Sequence, residues 1–345
     1  MGYEQPRQLD DNAMKTLILS NQEVLELLPI KACIAVMREA LLALADGKAY
    51  QPLRTIIRPP DAQGVMGLMP AYASAGSSDH QASFGLKAIC VLPGNPAKGL
   101  DSHQGGVLLF SAETGELQAM MNASAITAIR TAAVSGVATD LLARADAGNL
   151  AIIGSGVQAR THLVAMSEVR SLKRCRIASR HLEHAQNFAE EMGQDFLFPL
   201  EPVDTIAEAL DGADLIVTAT TAIEPIVRRK WISDGAHLNL VGSSFAKARE
   251  ADSETMAAVS LFVDRRESTL NEAGDYLLAA RDGVIGPDHI LAELGEVLKG
   301  DHPGRTSGDE ITCFKSLGIG IEDLFAAEYL YRTAKGKNVG SWVSF

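Results

Sequence analysis

Cysteine is scarce in this sequence and follows no pattern. The four cysteines, Cys33, Cys90, Cys175 and Cys313, lie singly along 345 residues, without the close spacing of metal ligands. Such usage in a long chain predicts free thiols in a reducing compartment rather than a disulfide framework. We therefore expect a cytoplasmic protein that holds no metal ion.

The chain also lacks the features that membranes and nucleic acids require. No apolar run approaches the ~20 residues of a membrane span, and the polar residues 1–13 lack the apolar core of a signal peptide. We expect residues 1–13 to form a disordered extension. The net charge of −12 argues against nucleic acid and anionic membrane as partners, because both bind basic surfaces.

The composition that remains is that of a globular enzyme. Hydrophobic residues make up 47% of the chain and charged residues 21%, as in ordinary soluble domains. The length is sufficient for two domains and a large core. A local basic pocket for a small anionic molecule stays compatible with the acidic total.

Residues 149–162, NLAIIGSGVQARTH, have the pattern of a strand, a glycine turn and a helix. Gly154 can adopt the φ values of a tight turn, and Gly156 lets the backbone approach a phosphate. The helix then begins at Val157 and Gln158, where free N–H groups and a partial positive charge face an anion. The pattern predicts a dinucleotide site, with an ordinary strand-to-helix turn as the alternative.

The regions on either side of this motif differ in periodicity. The region before it predicts strands and helices, with one helical segment divided by Pro29, at residues 14–20, 23–46, 54–58, 65–69, 84–92, 106–111, 117–121 and 124–145. The second region alternates strand and helix, with candidate strands at 150–153, 174–178, 196–200, 215–220, 237–241 and 261–264. Residues 311–334 predict a turn and a closing helix. The sequence thus predicts an α/β fold with one mixed or antiparallel sheet and one doubly wound parallel sheet.

The end of the second predicted strand of the parallel sheet bears on the choice of cofactor. In sites that prefer NAD, an acidic residue there binds the ribose 2′-hydroxyl. Here the strand ends in Ser179, Arg180 and His181, and no carboxylate follows before Glu183. A guanidinium and a hydroxyl suit a 2′-phosphate, so we expect NADP(H) to be preferred. NAD(H) is the alternative cofactor. Arg180 could instead be a solvated loop residue without a role in binding.

Three cations of the first region, Arg54, Lys87 and Arg130, are candidates for chemistry. Lys87 interrupts the apolar strand FGLKAICVL, and Arg130 lies among small residues in AITAIRTAAVSG. A cation in such surroundings needs a partner or a ligand, because burying it alone is costly. The sequence leaves open whether these three cations form internal salt bridges or bind an anion.

Four blocks of the sequence resemble the ornithine cyclodeaminase/mu-crystallin family: GLKAICVLPGN, LLFSAETGELQAMMNASAITAIRTAA, AIIGSGVQARTH and ITCFKSLGIGIEDLFAA. The resemblance covers nearly the whole chain from Met14, in the right order. It implies a Rossmann domain inserted in a mixed α/β domain that binds substrate and forms a homodimer. We therefore assign residues 128–314 to the NAD(P)-binding domain, and residues 14–127 with 315–345 to the substrate-binding and dimerisation domain.

The resemblance also implies roles for the cations. Members of the family work at the α-carbon of an amino or imino acid. By the matching motifs, Arg54 and Arg130 would hold the substrate carboxylate, and Lys87 would serve beside the substrate nitrogen as proton donor or electrostatic partner. The predicted substrate contacts further include Met69 and Ser316, and the predicted cofactor contacts further include Thr131, Thr220, Val241, Gly242, Ser243 and Lys315.

One departure from the family pattern favours a reductase. Ser244 stands where cyclodeaminases carry an aspartate, and a hydroxyl is no base at neutral pH. We therefore predict an NADPH-dependent reductase of a small cyclic 2-imino acid, such as Δ1-pyrroline-2-carboxylate or Δ1-piperideine-2-carboxylate. The alternatives are ornithine cyclodeaminase, alanine dehydrogenase, and a non-catalytic NADP-binding protein that sequesters a small ligand.

Overall fold

The computed structural model describes residues 15–76 and 81–344, which form two eight-stranded sheets joined by helices. The first sheet takes its strands from residues 15–122 and 341–344, and the second takes its strands from residues 149–315. The predicted extension at residues 1–13 lies outside the described residues.

The chain begins with a strand and two helices: β1 at Lys15–Leu19, α1 at Asn21–Leu27 and α2 at Ile30–Ala45. Ser20 and Glu23 form a capping box, in which each side chain accepts the backbone N–H of the other and closes the start of α1. Pro29 is the N-cap of α2, a position where the missing N–H of proline breaks no helical hydrogen bond. The predicted division of this segment at Pro29 is confirmed.

The strands that follow form the body of the first sheet: β2 at Ala49–Tyr50, β3 at Thr55–Ile57, β4 at Val65–Ala73, β5 at Ser83–Val91, β6 at His103–Ser111 and β7 at Leu117–Asn122. From β4 to β7 each strand pairs antiparallel with the next. Side chains alternate between the two faces, so that Ser83, Gly85, Lys87 and Ile89 of β5 are buried while Phe84 is exposed. Alternation therefore directs Lys87 to the core side of the sheet.

A long helix, α3 at Ala123–Leu142, connects the two sheets. By length and composition it could cross a membrane, but 83% of its most apolar window is buried inside the protein. Its many small residues allow close packing; a methyl group on Gly136 would lie 3.1 Å from the Ile34 side chain of α2. We therefore describe α3 as the core helix of the molecule.

The second region comprises β8 at Asn149–Ile153, α4 at Val157–Val169, β9 at Arg174–Ala178, α5 at Leu182–Met192, β10 at Leu200–Pro202, α6 at Ile206–Leu210, β11 at Leu215–Thr218, β12 at His237–Leu240, α7 at Ser253–Ala258, β13 at Ser260–Val263, α8 at Arg266–Glu272, α9 at Gly274–Arg281, β14 at Ile290–Glu293, α10 at Leu294–Lys299 and β15 at Thr312–Lys315. Short 3-10 turns lie at Pro96–Lys98, Gly193–Asp195, Arg229–Trp231 and Pro287–His289. The strand order is β10-β9-β8-β11-β12-β15-β13-β14, and every pair is parallel. The predicted doubly wound parallel sheet is confirmed.

Three details of this sheet differ from the sequence prediction. The third strand lies at Leu200–Pro202 instead of 196–200, β14 was not predicted, and Thr312–Lys315 forms β15 instead of a turn. β15 inserts between β12 and β13, where both of its edges are paired. The segment TCFK is short and mixes polar and apolar residues, so it gives no clear periodicity, and its strand pairing could not be recognised without its neighbours.

The chain then returns to the first sheet through α11 at Gly320–Lys337 and β16 at Ser341–Ser344. Helix α11 packs against β4, β5, α2 and α3, and β16 pairs antiparallel with β1. The order of the first sheet is β16-β1-β7-β6-β5-β4-β2, with β3 beside β4. The predicted domain boundary at 127/128 falls within α3, and the one at 314/315 falls at the last residue of β15.

Candidate active site

Two of the three candidate cations share one carboxylate in the core. Lys87 Nζ lies 2.8 Å from Asp323 Oδ2 and 3.0 Å from Oδ1, and Arg130 Nε lies 3.2 Å from the same Oδ1. Arg130 Nη1 also lies 2.7 Å from Glu322 Oε2. All four side chains are at most 4% exposed. Strand β5, helix α3 and the start of α11 thus meet in one buried charged cluster.

The third cation lies between the two sheet regions. Arg54 directly precedes β3, and its Nη2 lies 2.6 Å from Glu272 Oε2 of α8 and 3.0 Å from the carbonyl oxygen of Ser244, in the loop after β12. The Arg54 side chain is 15% exposed. It therefore connects the first sheet region to the carboxyl edge of the parallel sheet.

A small cleft contains Arg54, and one of its lining residues, Gly318, lies against Arg130. It is lined by Gln51, Pro52, Arg54, Met69, Pro70, Ser268, Glu272, Gly318, Ile319 and Gly320. Gly318 has φ +74°, and a methyl group there would lie 2.2 Å from Arg130 Nη1 and 2.7 Å from Nη2. Any side chain at position 318 would thus occupy the space between the cleft and the Arg130 guanidinium.

Lys87 is adjacent to this cleft, because it pairs with Met69 across strands β4 and β5. Arg54 thus lines the cleft, whereas Lys87 and Arg130 lie behind residues that line it, Met69 and Gly318. Each cation also has a carboxylate partner, so the internal ion pairs that the sequence left open are present. Binding of a substrate carboxylate by these cations stays a prediction.

The glycine turn lies next to the same cluster. Gly154 has φ +119°, and a methyl group there would lie 2.5 Å from the Ala219 carbonyl oxygen, whereas Gly156 faces open space. Helix α4 begins after Gly156 without a side-chain cap, so its first N–H groups are available to an anion. These features fit the pyrophosphate of a dinucleotide.

Gln158 connects this turn to Lys87. Its Nε2 donates to the Thr127 carbonyl oxygen at 3.4 Å, and Lys87 Nζ donates to the Thr127 hydroxyl at 3.4 Å. The first turn of α4 is therefore one residue removed from the buried lysine.

The residues predicted to select the cofactor lie together at the carboxyl end of β9. The Ser179 hydroxyl is 3.0 Å from that of Ser155 in the glycine turn, and His181 is the N-cap of α5. Arg180 is exposed and has no ion pair with any residue in the described ranges. A free guanidinium beside the turn is compatible with the predicted contact to a 2′-phosphate.

The structure corrects the expected position of Lys315. Instead of approaching the cleft, Lys315 is fully buried, with Nζ 2.9 Å from Asp275 Oδ2 and 3.3 Å from the Leu240 carbonyl oxygen. Asp275 Oδ1 in turn accepts the N–H groups of Glu250 and Ala251. A lysine in the middle of the parallel sheet must be paired to be buried, and sequence alone did not reveal its partner.

The same network supports the other predicted cofactor residues. Buried Glu250 accepts the hydroxyl of Thr218, both donors of Thr220 and the N–H of Gly242 at 2.7–2.8 Å, and the Ser243 hydroxyl donates to the Ala248 carbonyl oxygen. Glu250 therefore fixes the two loops at the carboxyl ends of β11 and β12, where open α/β sheets bind their ligands.

The remaining predicted residues lie near these loops or in α3. Val241 and Ser316 donate backbone N–H groups to Thr218 and Leu240, and Thr131 is buried in α3 beside Arg130. Their contacts with ligands stay predictions. Sequence reasoning missed the carboxylates that pair with the cations. The acidic pair in GIGIEDLFAA was a signal, because two acids within an apolar helix face also need partners.

Burial moves the pKa values of Lys87 and Glu322 towards neutral pH. Burial lowers the pKa of Lys87 to about 8, and Arg130 lowers it too, whereas Asp323 opposes the shift. Burial raises the pKa of Glu322 to about 8 against the effect of Arg130. It also raises the pKa of Glu272 against the effect of Arg54. A lysine that titrates near pH 8 is suited to exchange protons with a ligand.

The fold and the site together define an oxidoreductase that uses a nicotinamide dinucleotide. The sequence pattern of the ornithine cyclodeaminase/mu-crystallin family matches residues 14–338. The chain belongs to this family.

Relatives and solved structures resemble the chain over almost its full length. The ketimine reductase mu-crystallin of Mus musculus is 39% identical over 91% of this chain and 96% of its own. The Thermococcus litoralis Δ1-pyrroline-2-carboxylate reductase in complex with NADH and L-proline is 40% identical, with TM-score 0.91 over 95% of this chain and 100% of its own. An archaeal alanine dehydrogenase dimer with bound NAD is 32% identical, with TM-score 0.89 over 96% of this chain and 100% of its own.

Proposed function

We propose that this protein reduces a small cyclic 2-imino acid with NADPH, converting Δ1-pyrroline-2-carboxylate to proline or Δ1-piperideine-2-carboxylate to pipecolate. The observation that carries the proposal is a cleft that Arg54 lines and that Lys87 and Arg130 adjoin, with Lys87 linked through Thr127 to the first turn of α4. A ketimine reductase and a pyrroline-2-carboxylate reductase among the similar proteins support the same chemistry.

The arrangement supplies each group that the reaction needs. Arg130 uses Nε and Nη1 on its carboxylates, and Arg54 uses Nη2. Arg130 Nη2 and Arg54 Nε and Nη1 donate to no protein group among the described residues. These donors would hold the substrate carboxylate and fix the α-carbon.

Lys87 would donate a proton to the imine nitrogen, because the carbon of a C=N bond accepts a hydride more readily when its nitrogen is protonated. The dinucleotide supplies the hydride when bound. One hydride adds to the carbon and one proton to the nitrogen, so each reduction consumes one NADPH and one proton.

The rival activities require different outcomes in one assay. A cyclodeaminase would release ammonia from ornithine without net change in cofactor, and an alanine dehydrogenase would oxidise NADH with pyruvate and ammonium. A sequestering protein would bind NADPH and oxidise none. Ser244 disfavours the first, because its hydroxyl is no base at neutral pH. Oxidation of NADPH by cyclic imines alone is the outcome that supports our proposal.

The cofactor preference has its own test at Arg180. Arg180→Ala is expected to weaken NADPH binding roughly 10- to 100-fold, because a charge-assisted hydrogen bond contributes about 1.5–3 kcal/mol, and to leave NADH binding unchanged. Fluorescence titration of both cofactors measures this. Lys173→Ala, at the exposed opposite end of β9, is the charge-matched control. Equal losses for NADPH and NADH, or tighter NADH binding in the parent, would contradict the assignment.

We also propose that two copies associate through the outer face of the first sheet. Helices α2, α3 and α11 cover one face, while the other exposes Met66, Phe84 and Met120 by 39%, 49% and 39%. Several exposed apolar side chains on one sheet face indicate a protein interface, and the similar alanine dehydrogenase is a dimer.

Phe84→Glu is therefore expected to convert a dimer to a monomer, because two like charges would meet in a desolvated apolar interface. Light scattering during size-exclusion chromatography measures the molar mass. Leu197→Glu, on an exposed loop of the other region, should leave the dimer intact. A monomeric parent, or a variant that stays dimeric, would rule out this face.

A further inference from the structure

We propose that Asp323 is the positioning residue of the site: its single carboxylate fixes both Lys87 and Arg130 and keeps the lysine charged for the proton transfer. This inference rests on the proposed reduction, in which Lys87 supplies the proton. Both oxygens of Asp323 lie within 3.0 Å of Lys87 Nζ, and one of them also lies 3.2 Å from Arg130 Nε.

The start of α11 is held firmly enough to serve this purpose. The Ile321 N–H donates to Gln51 Oε1 at 2.8 Å. A methyl group on Gly320 would lie 3.1–3.2 Å from the carbonyl oxygens of Pro70 and Met69, so the helix starts in close contact with β4. Asp323 in the first turn also benefits from the partial positive charge of the helix N-terminus.

Asp323 differs from every other charged group that faces Lys87. Those groups are Glu322 on α11, Arg130 on α3 and His103 on β6. Arg130 disfavours the ammonium form, while Glu322 acts from a distance because its carboxylate contacts Arg130. Contact with the Asp323 carboxylate is thus the main effect that raises the pKa of Lys87. Burial alone would favour the neutral form of the lysine.

The two adjacent acids permit a matched experiment. Asp323→Asn removes the carboxylate that contacts Lys87, whereas Glu322→Gln replaces a neighbouring carboxyl group that contacts Arg130. In the reduction of Δ1-pyrroline-2-carboxylate, kcat/KM of the parent should fall as Lys87 loses its proton at alkaline pH. In Asp323→Asn this fall should move to lower pH by roughly one to three pH units, with kcat near pH 6 kept within about tenfold.

Three controls separate positioning from simple damage. Glu322→Gln should keep the alkaline fall within about half a pH unit of the parent, and Asp323→Glu should restore it in part. Bound NADPH should remain at parental affinity in all variants. An alkaline limb that does not move in Asp323→Asn, or an equal loss of kcat at every pH, overturns the inference.

Binding of pyrrole-2-carboxylate in the presence of NADP+ provides a readout that does not require turnover. This planar probe carries the carboxylate but no titrating ring nitrogen. The change of its affinity at alkaline pH therefore reports the titration of groups in the protein. If the parent binds the probe but reduces no imine, the proposed function fails, and the limb in Asp323→Asn still decides the role of Asp323. A parent that neither binds the probe nor reduces an imine overturns both.

Discussion

Replacing Lys87 with methionine is expected to lower kcat/KM for imine reduction by roughly 10²- to 10⁴-fold, the usual contribution of a positioned acid. Methionine fills a similar volume without the charge, so the core should keep its packing. NADPH affinity should stay within about twofold, because Lys87 contacts the glycine turn only through Thr127 and Gln158. Steady-state kinetics and cofactor titration measure both quantities.

Lys98→Met is the matched control, since Lys98 is an exposed lysine of the same sheet region. It should leave kcat/KM unchanged. In the parent, kcat/KM should be highest below about pH 8 and decline above it, because burial lowers the pKa of Lys87 to about 8. Unchanged turnover in Lys87→Met would remove the lysine from the mechanism.

The second large effect is expected in stability. Arg130→Met should lower the free energy of unfolding by about 3–5 kcal/mol, because it removes one partner of a buried charge pair and leaves carboxylates without compensation. Glu322 lies 2.7 Å from the guanidinium and is 1% exposed. Denaturant unfolding of the parent and the variant in the absence of ligand measures the difference.

A surface ion pair provides the comparison. Arg38 pairs with Asp140, and their side chains are 30% and 45% exposed, so Arg38→Met should cost less than about 1 kcal/mol. Adding Glu322→Gln to Arg130→Met should recover part of the lost stability, since it replaces a buried carboxyl group that has lost its partner with a neutral amide. Equal costs for Arg130→Met and Arg38→Met would show that the buried cluster does not stabilise the fold as described.

The fold was largely accessible from the sequence because its main signals are local. The glycine turn, the alternation of buried positions in β5 and the break at Pro29 each follow from neighbouring residues. Strands β14 and β15 escaped prediction because the segments ILAE and TCFK have no distinct strand pattern of their own, and Thr312–Lys315 becomes a strand only between β12 and β13. Such elements are defined by tertiary pairing, which local propensity does not contain.

The candidate site was also predictable only in part. Arg54, Lys87 and Arg130 were evident because a cation in an apolar segment requires a partner. Their carboxylates were not, because Asp323 is 236 positions from Lys87 and Glu272 comes from the other sheet region. Lys315 shows the converse error: its motif suggested the cleft, but the fold buries it against Asp275. The partner of a charge is a property of the assembled chain.

The most direct test of the proposed function is NADPH oxidation by the purified protein across a panel of cyclic 2-imino acids, ornithine, and pyruvate with ammonium. We predict rapid oxidation with Δ1-pyrroline-2-carboxylate or Δ1-piperideine-2-carboxylate, formation of proline or pipecolate in equal amount, and no ammonia from ornithine. A protein that leaves NADPH unoxidised with every imine, or that releases ammonia from ornithine without net cofactor change, would contradict the function proposed here.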